Sequence, residues 1–272
     1  MFKKRASYLY FSLAVCTLTT FLYVIFFSEE TTSSLEKTLI VGLNSAYPPF
    51  EYIDEQGKLI GFDIDIAQRI ASALDRKLVI KDMDFDGEIL SLKQGKIDII
   101  LSGMQITPSR DKEIILVPYH GETATSLSLI FWKQIPYNIH SLEDLEYLPE
   151  AIVSVGTGTV SEVFLTQYPQ IHTKSFEGAL DPLLDVKFGK SIANLVETDV
   201  AEYLQQKYPE IKLLSIPVTN TPILGFGIGI NKKNQALAIQ IQKIIQTLKE
   251  SDELKILEER WFSRKVQEKK YE

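Results

Sequence analysis

Cysteine and histidine are nearly absent from this chain of 272 residues. Its single cysteine, Cys16, excludes an internal disulfide and a cysteine-based zinc cluster. The three histidines, His120, His140 and His172, lack the H-x-x-x-H spacing of a helical zinc site, so we interpret them as solvated loop residues. We therefore expect neither a bound metal nor a cofactor.

Positive charge is scarce as well. The chain has 29 Lys and Arg residues against 36 Asp and Glu residues, and three of the basic ones (Lys3, Lys4 and Arg5) stand at the N-terminus. An acidic body argues against nucleic acid as a partner, because phosphates need a basic face. The remaining composition, 45% hydrophobic and 24% charged, is that of a globular protein with one large or two modest domains.

Residues 1–30 have the features of a signal or anchor segment. Three basic residues precede an apolar run over 8–27, which is the order found in export signals. This run is long enough for an uncleaved anchor as well as for a cleaved signal. Leu13-Ala14-Val15-Cys16 also resembles a lipoprotein processing site, so lipidation at Cys16 is a third alternative. Each alternative puts the rest of the chain in the periplasm or on the extracytoplasmic face.

Strand and helix patterns alternate from residue 38 onward. The β-branched run over 38–43 predicts a strand, and the four-residue spacing of Phe62, Ile66, Ile70 and Leu74 predicts a helix. Further strands are predicted at 78–80, 97–101, 152–155, 172–176 and 192–196, and further helices at 89–92, 160–167, 179–188, 200–207 and 237–248. Such alternation is typical of parallel βα units.

Two extended segments, 123–132 and 222–230, interrupt this alternation. The second has glycine at alternate positions (Gly225, Gly227 and Gly229), which leaves one face of the strand bare for a close backbone approach. The two segments are either crossovers between two lobes or a plain edge hairpin.

Catalytic motifs are mostly absent. There is no G-x-S-x-G nucleophile elbow. The glycine-rich turn at 156–159 opens a predicted helix, but Ser161 stands where the third glycine of a dinucleotide fingerprint belongs. We expect free backbone N–H groups in this turn to suit an anion such as a carboxylate, with a purely structural turn as the alternative.

Several short segments between Thr38 and Phe262 form one colinear pattern. They are Asn44-Ser45-Ala46-Tyr47-Pro48-Pro49-Phe50-Glu51, Gly61-Phe62-Asp63-Ile64-Asp65-Ile66-Ala67, Ser91-Leu92-Lys93-Gln94-Gly95-Lys96-Ile97-Asp98, Ser102-Gly103-Met104-Gln105-Ile106-Thr107-Pro108-Ser109-Arg110, Gly158-Thr159, Gly189-Lys190-Ser191, Leu224-Gly225-Phe226-Gly227 and Arg260-Trp261-Phe262. In this order they resemble the periplasmic polar amino-acid-binding proteins of ABC importers (solute-binding protein family 3), most closely the arginine-binding members.

The resemblance implies an α/β fold of two lobes, each a mostly parallel sheet flanked by helices. Two hinge strands would join the lobes, and a ligand would be enclosed between them. Lobe 1 is then expected at 36–126 plus 224–266 and lobe 2 at 127–223. The two extended segments fall at the hinge.

The resemblance also implies how an amino-acid ligand is held. Arg110 matches the family arginine that binds the ligand carboxylate, and a guanidinium suits that role because it offers two parallel donors. The lobe-2 residues expected to complete this end are Gly158, Thr159, Val160 and Ser161. Glu197 matches the acid that pairs with the α-ammonium, and Asp199 is the alternative if the loop is shifted by two residues.

The pocket for the ligand side chain is expected from lobe 1. Its residues are Asn44, Tyr47, Glu51, Phe85, Ser102, Gly103 and Gln105. Tyr47 and Phe85 match aromatics that sandwich the ligand and attract a cation, though each also suits core packing. Glu51 either meets a cationic ligand end or is an exposed surface acid. Asn44 stands where lysine- and ornithine-binding relatives carry Asp, and Gln105 replaces a small hydroxyl residue, so a neutral ligand such as glutamine stays open.

The function implied is binding and transport, with no enzymatic step. The protein would capture an amino acid, L-arginine first, and deliver it to the membrane permease of an ABC importer. We expect a monomer that binds no nucleic acid. One alternative is an enzyme on the same fold, like the cyclohexadienyl dehydratases, for which Glu197 is the obvious proton donor. An acid paired with an ammonium has a depressed pKa, which argues against that role. A sensor domain with a separate output partner is a further alternative.

Overall fold

The computed structural model describes residues 37–124, 126–148, 150–218 and 223–262. The predicted signal or anchor segment, with Cys16, lies outside these residues. Within them the chain forms two five-stranded sheets, one three-stranded sheet and eight α-helices. No helix in this part of the chain is both long and apolar enough to cross a bilayer.

The first five-stranded sheet is built from both ends of the described chain. Its strands are β1 (Thr38–Leu43), β5 (Lys77–Asp82), β6 (Ile99–Ile100), β7 (Ile115–Ala124) and β13 (Ile223–Ile230), in the order β5-β1-β6-β13-β7. Its helices are α1 (Phe62–Ala73), α2 (Glu88–Lys93), α3 (Pro108–Glu113), α7 (Gln235–Glu250) and α8 (Glu253–Phe262). Ile66 of α1 and Ile241 of α7 are buried in the core that includes Leu39 and Val41 of β1. Hence the apolar stripes predicted for these two helices face this sheet.

The second five-stranded sheet uses a continuous part of the chain. Its strands are β8 (Ser126–Trp132), β9 (Ile152–Gly156), β10 (His172–Phe176), β11 (Ala193–Glu197) and β12 (Ile211–Pro217), in the order β10-β9-β11-β8-β12. Helices α4 (Val160–Leu165), α5 (Leu180–Lys187) and α6 (Thr198–Lys207) flank it. The three-stranded sheet consists of β2 (Ala46–Tyr47), β3 (Glu51–Ile53) and β4 (Leu59–Ile60).

Both large sheets are mixed. In the first, β1 is parallel to β5 and β6, whereas β13 is antiparallel to β6 and β7. In the second, β9 is parallel to β10 and β11, whereas β8 is antiparallel to β11 and β12. Four strands of each sheet therefore share one direction, and only β13 in the first sheet and β8 in the second run against it, which confirms the mostly parallel character expected from the alternating pattern.

The two extended segments cross between the sheets. Consecutive strands β7 and β8 belong to different sheets, as do β12 and β13. Because β13 lies inside its sheet, between β6 and β7, the interpretation as a plain edge hairpin is wrong. The close approach predicted from the glycines is confirmed: a Cβ at Gly227 would lie 2.8 Å from Cγ1 of Ile106. Gly225 has a φ of +71°, which other residues rarely adopt.

The histidines differ from the interpretation as solvated loop residues. His120 lies in β7, and its side chain is only 11% exposed. Its Nδ1 is 2.8 Å from Oε1 of Glu258, and its ring stacks on Phe262 at 4.3 Å. The solvated interpretation is therefore wrong for His120, which anchors α8 on a crossing strand. In the described part of the chain, no three His, Cys, Asp or Glu side chains are grouped as a metal site would require.

Candidate functional site

The two large sheets meet at the carboxyl ends of their parallel strands. Asn44 directly follows β1, the turn at 157–159 directly follows β9, and Glu197 ends β11. In open α/β sheets, ligands bind outside this end of the strands. The polypeptide therefore brings polar residues from both sheets to one place.

Arg110 connects the two sheets directly. Thr107 caps α3 by accepting the backbone N–H of Arg110 at 3.3 Å, and Pro108 occupies the first helical position, as predicted. Nη1 of Arg110 donates to the carbonyl oxygen of Gln105 at 2.9 Å and to Oε1 of Gln105 at 3.3 Å. Nη2 donates to the carbonyl oxygen of Gly158 at 2.9 Å. The guanidinium carbon lies 5.1 Å from the ring centre of Phe85.

The charge of Arg110 is supported from two sides. Burial lowers its pKa, and the carboxylates of Glu197 and Glu88 oppose that shift. An arginine keeps its proton even when partly desolvated. The site therefore holds a permanent cation that a ligand carboxylate can bind.

Glu197 is the buried acid on the opposite side. It stands between β11 and α6, its Oε1 accepts the hydroxyl of Ser161 at 3.3 Å, and its Oε2 accepts the hydroxyl of Tyr47. Burial raises the pKa of Glu197, while the hydrogen bonds from Tyr47 and Ser161 lower it. A cationic ligand group is thus the partner that would complete this acid.

Asp199, the alternative to Glu197, faces the same region. Both acids line a cavity of about 320 Å³ beside the crossing strands, together with Gln105, His120 and Glu122. Burial raises the pKa of Asp199, and His120 opposes the shift. The choice between the two acids stays a prediction.

A second, smaller cavity of about 20 Å³ lies between the sheets. It has room for about one water molecule, so a ligand side chain requires the two sides of the cleft to move apart. It is lined by Asn44, Tyr47, Phe85, Ser102, Gly103, Gln105, Gly156, Thr157, Thr159 and Gly178. Most residues predicted for the side-chain pocket therefore share one cavity.

The wall of this cavity on the first sheet is a hydrogen-bonded unit. The backbone N–H of Asn44 donates to Oγ of Ser102 at 3.0 Å, and that hydroxyl donates to Oε1 of Glu51 at 3.4 Å. The backbone N–H of Gly103 donates to Asp63 at 2.8 Å. Glu51 is fully buried, so its interpretation as an exposed surface acid is wrong. The chain folds β3 back beneath β2, which carries Glu51 behind Ser102.

The prediction of free backbone N–H groups in the turn at 156–159 is wrong, because Thr157 donates to the carbonyl oxygen of Phe176 and Thr159 to that of Gly156. The backbone N–H of Gly158 is not free, because it donates to Oε2 of Glu162 at 2.7 Å. Thr159 caps α4 by accepting the N–H of Glu162, and its own hydroxyl donates to the carbonyl of Gly156 at 2.8 Å. The helix start therefore already has an acidic cap from its own chain. Val160 is the buried first residue of α4.

Several residues at the site were not predicted. The backbone N–H of Ala179 donates to the carbonyl of Ala46 at 2.9 Å, which forms another contact between the sheets. Asp63 accepts from Gly103 and from the hydroxyl of Tyr119, and Glu88 is fully buried at the start of α2. The available signal for Glu88 was its position on the apolar side of a short helix.

Known proteins with this pattern can now be compared. Residues 39–264 match the profile of the bacterial extracellular solute-binding proteins, family 3. The chain belongs to this family.

Relatives of this solute-binding protein share both sequence and fold. It is 36% identical over 260 residues to the probable ABC transporter arginine-binding protein ArtJ of Chlamydia trachomatis serovar D, covering 95% of this chain and 97% of the relative. A crystal structure of a variant of ArgBP from T. maritima superposes with a TM-score of 0.73 at 33% identity, covering 84% of this chain and 96% of that one. An ancestral arginine-binding protein bound to glutamine gives a TM-score of 0.75 at 31% identity, with coverages of 85% and 100%.

The two large sheets correspond to the two lobes of the family fold. They are the cores of the two lobes of a periplasmic-binding-protein fold, with mixed sheets flanked by helices. Both cavities described above lie between these lobes, and the larger one is beside the crossing strands.

Proposed function

We propose that this solute-binding protein captures an amino acid, L-arginine first, between its lobes and delivers it to the membrane permease of an ABC importer. The observation that carries the proposal is the position of Arg110 and Glu197, a cation and a buried acid from different lobes, at one interface. Relatives described as arginine-binding proteins support the choice of ligand.

The two α-groups of an amino acid fit contacts that already cross between the lobes. A ligand carboxylate would take the place of the Gly158 carbonyl oxygen at the guanidinium of Arg110. The hydroxyl of Tyr47 donates to Glu197, and a ligand ammonium would replace it as the donor to this carboxylate. A zwitterion therefore replaces contacts that hold the closed form, and it adds charge to each of them.

The walls of the smaller cavity suit a flat cationic side chain, which would enter as the two lobes open. Tyr47 and Phe85 line it with aromatic faces, and Phe85 already lies beneath one guanidinium, that of Arg110. Aromatic faces attract guanidinium groups more readily than compact, strongly hydrated ammonium groups. We therefore propose the order arginine before lysine and ornithine.

Glutamine is a second candidate ligand because of Gln105. Its Nε2 is buried and has no hydrogen-bond partner among the described residues, so a ligand with an acceptor there would satisfy it. Titration calorimetry with arginine, citrulline, lysine, ornithine and glutamine tests both candidates. Arginine is expected to bind most tightly, and tighter glutamine binding would contradict the proposed ligand while leaving the α-group contacts in place.

An enzyme on this fold is the second candidate function. It is favoured by Glu197, whose pKa is raised by burial in the ligand-free site, as a proton donor requires. We propose that a ligand ammonium removes this property by favouring the ionised acid. Incubation with prephenate or arogenate is expected to yield no aromatic product, and product formation that depends on Glu197 would support the enzyme instead.

The remaining predictions are part of the same proposal. Lobe 1 would comprise 36–126 plus 224–266 and lobe 2 would comprise 127–223, and the strands of the two large sheets support this division except at Ser126 and Ile223, which each belong to the opposite sheet. The protein would act as a monomer, exported through residues 1–30. Light scattering on the secreted protein measures the mass, and a mass near 30.9 kDa or slightly below it is expected.

A further inference from the structure

Two buried acids stand behind the cavity wall with few partners. Glu51 and Glu88 are both fully buried. Neither oxygen of Glu88 and only one oxygen of Glu51 has a hydrogen-bond partner in the described part of the chain. We call Glu51 and Glu88 the Ser102 acids, because the hydroxyl of Ser102 lies between them and the cavity.

Nearby groups do not neutralise the Ser102 acids. Asp63 is satisfied by Gly103 and Tyr119. Arg110 influences Glu88 through space, but its hydrogen bonds go to Gln105 and Gly158. Within the described residues, no ion pair includes either of the Ser102 acids.

Such an arrangement is costly unless a cation compensates it. Burying a carboxylate without a partner is unfavourable, and the group takes up a proton instead. Burial accordingly raises the pKa of both acids well above the ordinary range. Asp63 adds to this effect for both acids, and each acid responds to Ser102, whose hydroxyl lowers its pKa.

We propose that Glu51 and Glu88 select a cationic ligand side chain through Ser102, without touching the ligand themselves. This inference rests on the proposed function, since it names how the same site distinguishes charge. Ser102 lines the cavity, accepts from the backbone N–H of Asn44, and directs its single hydrogen at Glu51. A guanidinium at this hydroxyl would be separated from the acids by one side chain, close enough to favour their ionised form.

The Ser102 acids would give the cavity its preference for a cation although Asn44 is neutral. Charges separated by a few ångströms of low-dielectric interior interact strongly. A guanidinium in the cavity would favour the ionised form of an acid behind Ser102, so that acid would release its proton to solvent on binding and then supply negative potential, while Asn44 and Ser102 supply the contact surface. Glu51 and Glu88 are in this sense specificity-determining residues.

The test compares arginine with citrulline, which has a similar shape but no charge. Glu88→Gln and Glu51→Gln are expected to weaken arginine binding by about tenfold each and citrulline binding by less than about twofold. Glu55→Gln, at an exposed acid of the β3–β4 turn, removes the same charge at the surface and is expected to change neither. Binding is measured by titration calorimetry, and folding by thermal melting.

Thermal melting distinguishes a role of these residues in ligand selectivity from a role in folding. A neutral amide is cheaper to bury than an unpartnered acid, so Glu88→Gln is expected to melt no lower than the parent. Equal loss of both ligands with a lower melting temperature would assign a structural role and overturn the inference. Should Glu88→Gln not fold, Ser102→Ala decides, because removing the hydroxyl is expected to reduce the preference for arginine over citrulline.

The measurements distinguish a failure of the proposed ligand from a failure of the role assigned to the Ser102 acids. If the parent does not prefer a cationic amino acid, the proposed ligand fails and this inference fails with it. If the parent prefers arginine but the ratio to citrulline is unchanged in Glu88→Gln, Glu51→Gln and Ser102→Ala, the proposed function stands and only the Ser102 acids are wrongly assigned.

Discussion

The two sides of the cleft are built differently. On the first lobe, buried polar atoms near the cavity, among them Nε2 of Gln105 and Oε2 of Glu51, have no hydrogen-bond partner in the part of the chain that the structure describes. On the second lobe, the turn at 156–159 is internally satisfied by Thr159 and Glu162, and Glu197 is held by Ser161. A ligand would therefore supply hydrogen-bond partners mainly to the first lobe, whereas the second lobe offers a prearranged surface that closes on the ligand.

The difference suggests an order of events. A ligand would first satisfy groups on the first lobe, where selectivity resides. The second lobe would then exchange its contacts at Arg110 and Tyr47 for contacts with the ligand. Substitutions on the first lobe should thus change which ligand binds, whereas substitutions on the second should change how long it stays.

The largest expected effect comes from Arg110→Ala. Truncating one partner of a buried charge pair costs about 2–5 kcal/mol, so arginine affinity should fall by more than about tenfold. Arg69→Ala removes a surface arginine that pairs with Glu253, and it should leave affinity unchanged. Calorimetry on both variants decides, and parent-like binding by Arg110→Ala would mean that the site is misplaced.

Glu197→Gln and Asp199→Asn distinguish the two candidate acids. If Glu197 holds the ammonium, its amide variant should weaken arginine binding by more than about tenfold, because it loses the charge opposite the ligand. Asp199→Asn should change affinity by less than about threefold. The reverse result would transfer the ammonium site to Asp199.

Gly158→Ala tests the closing surface of the second lobe. Gly158 has a φ of +72°, and an added Cβ would lie 3.2 Å from Cβ of Asp86 on the first lobe. Gly189→Ala is the matched control, since Gly189 has a φ of +69° and nothing within 4 Å of an added Cβ. Both variants should lose stability of order 1 kcal/mol from backbone strain.

Only Gly158→Ala should also release arginine faster, by a few-fold, because the methyl group obstructs closure. Stopped-flow release rates measure this difference. Equal release rates in the two glycine variants would show that the second lobe does not close through this turn.

The smallest effect concerns pH. Burial raises the pKa of Asp63 from 3.8 to about 6, and it raises the pKa values of Glu51 and Glu88 well above their ordinary range. An acid with a raised pKa in the folded state contributes fully below its unfolded pKa and loses that contribution as pH rises. The ligand-free protein should therefore become less stable above about pH 4.

Glu88→Gln sharpens this prediction. The variant lacks one of the titrating acids, so its free energy of unfolding should match that of the parent near pH 4 and exceed it at pH 7.5. Urea unfolding at both pH values provides the measurement. A gap that is equal at the two pH values would contradict a pKa of Glu88 that folding raises.

Much of the fold could be predicted because its local signals are strong. The predicted strands at 38–43 and 172–176 have the observed bounds, since short β-branched or polar runs between turns suffice there. Strand β12 and helix α8 were missed. The burial along β12 follows no simple period, because that strand depends on pairing with β8 far away in the chain. In α8, by contrast, Leu254, Leu257 and Trp261 recur at helical spacing, so a local signal was present.

The site was predictable in its residue types but less so in its connections. Thr107, Pro108 and Arg110 are recognisable from a local helix start. The contact between Tyr47 and Glu197 joins residues 150 positions apart, and that between Ser102 and Glu51 joins residues 51 positions apart. Which atoms are already occupied, as at Gly158, follows only from the folded arrangement.

The interior position of β13 also affects the order in which the two large sheets can be completed during synthesis. All five strands of the second large sheet lie within residues 126–217, so they are available together as the chain leaves the ribosome or the export channel. The first large sheet cannot join β6 to β7 until residues 223–230 have followed. Domains fold as units during synthesis. The first lobe therefore begins to emerge first but is completed last, and its sheet still lacks β13 while the second lobe folds.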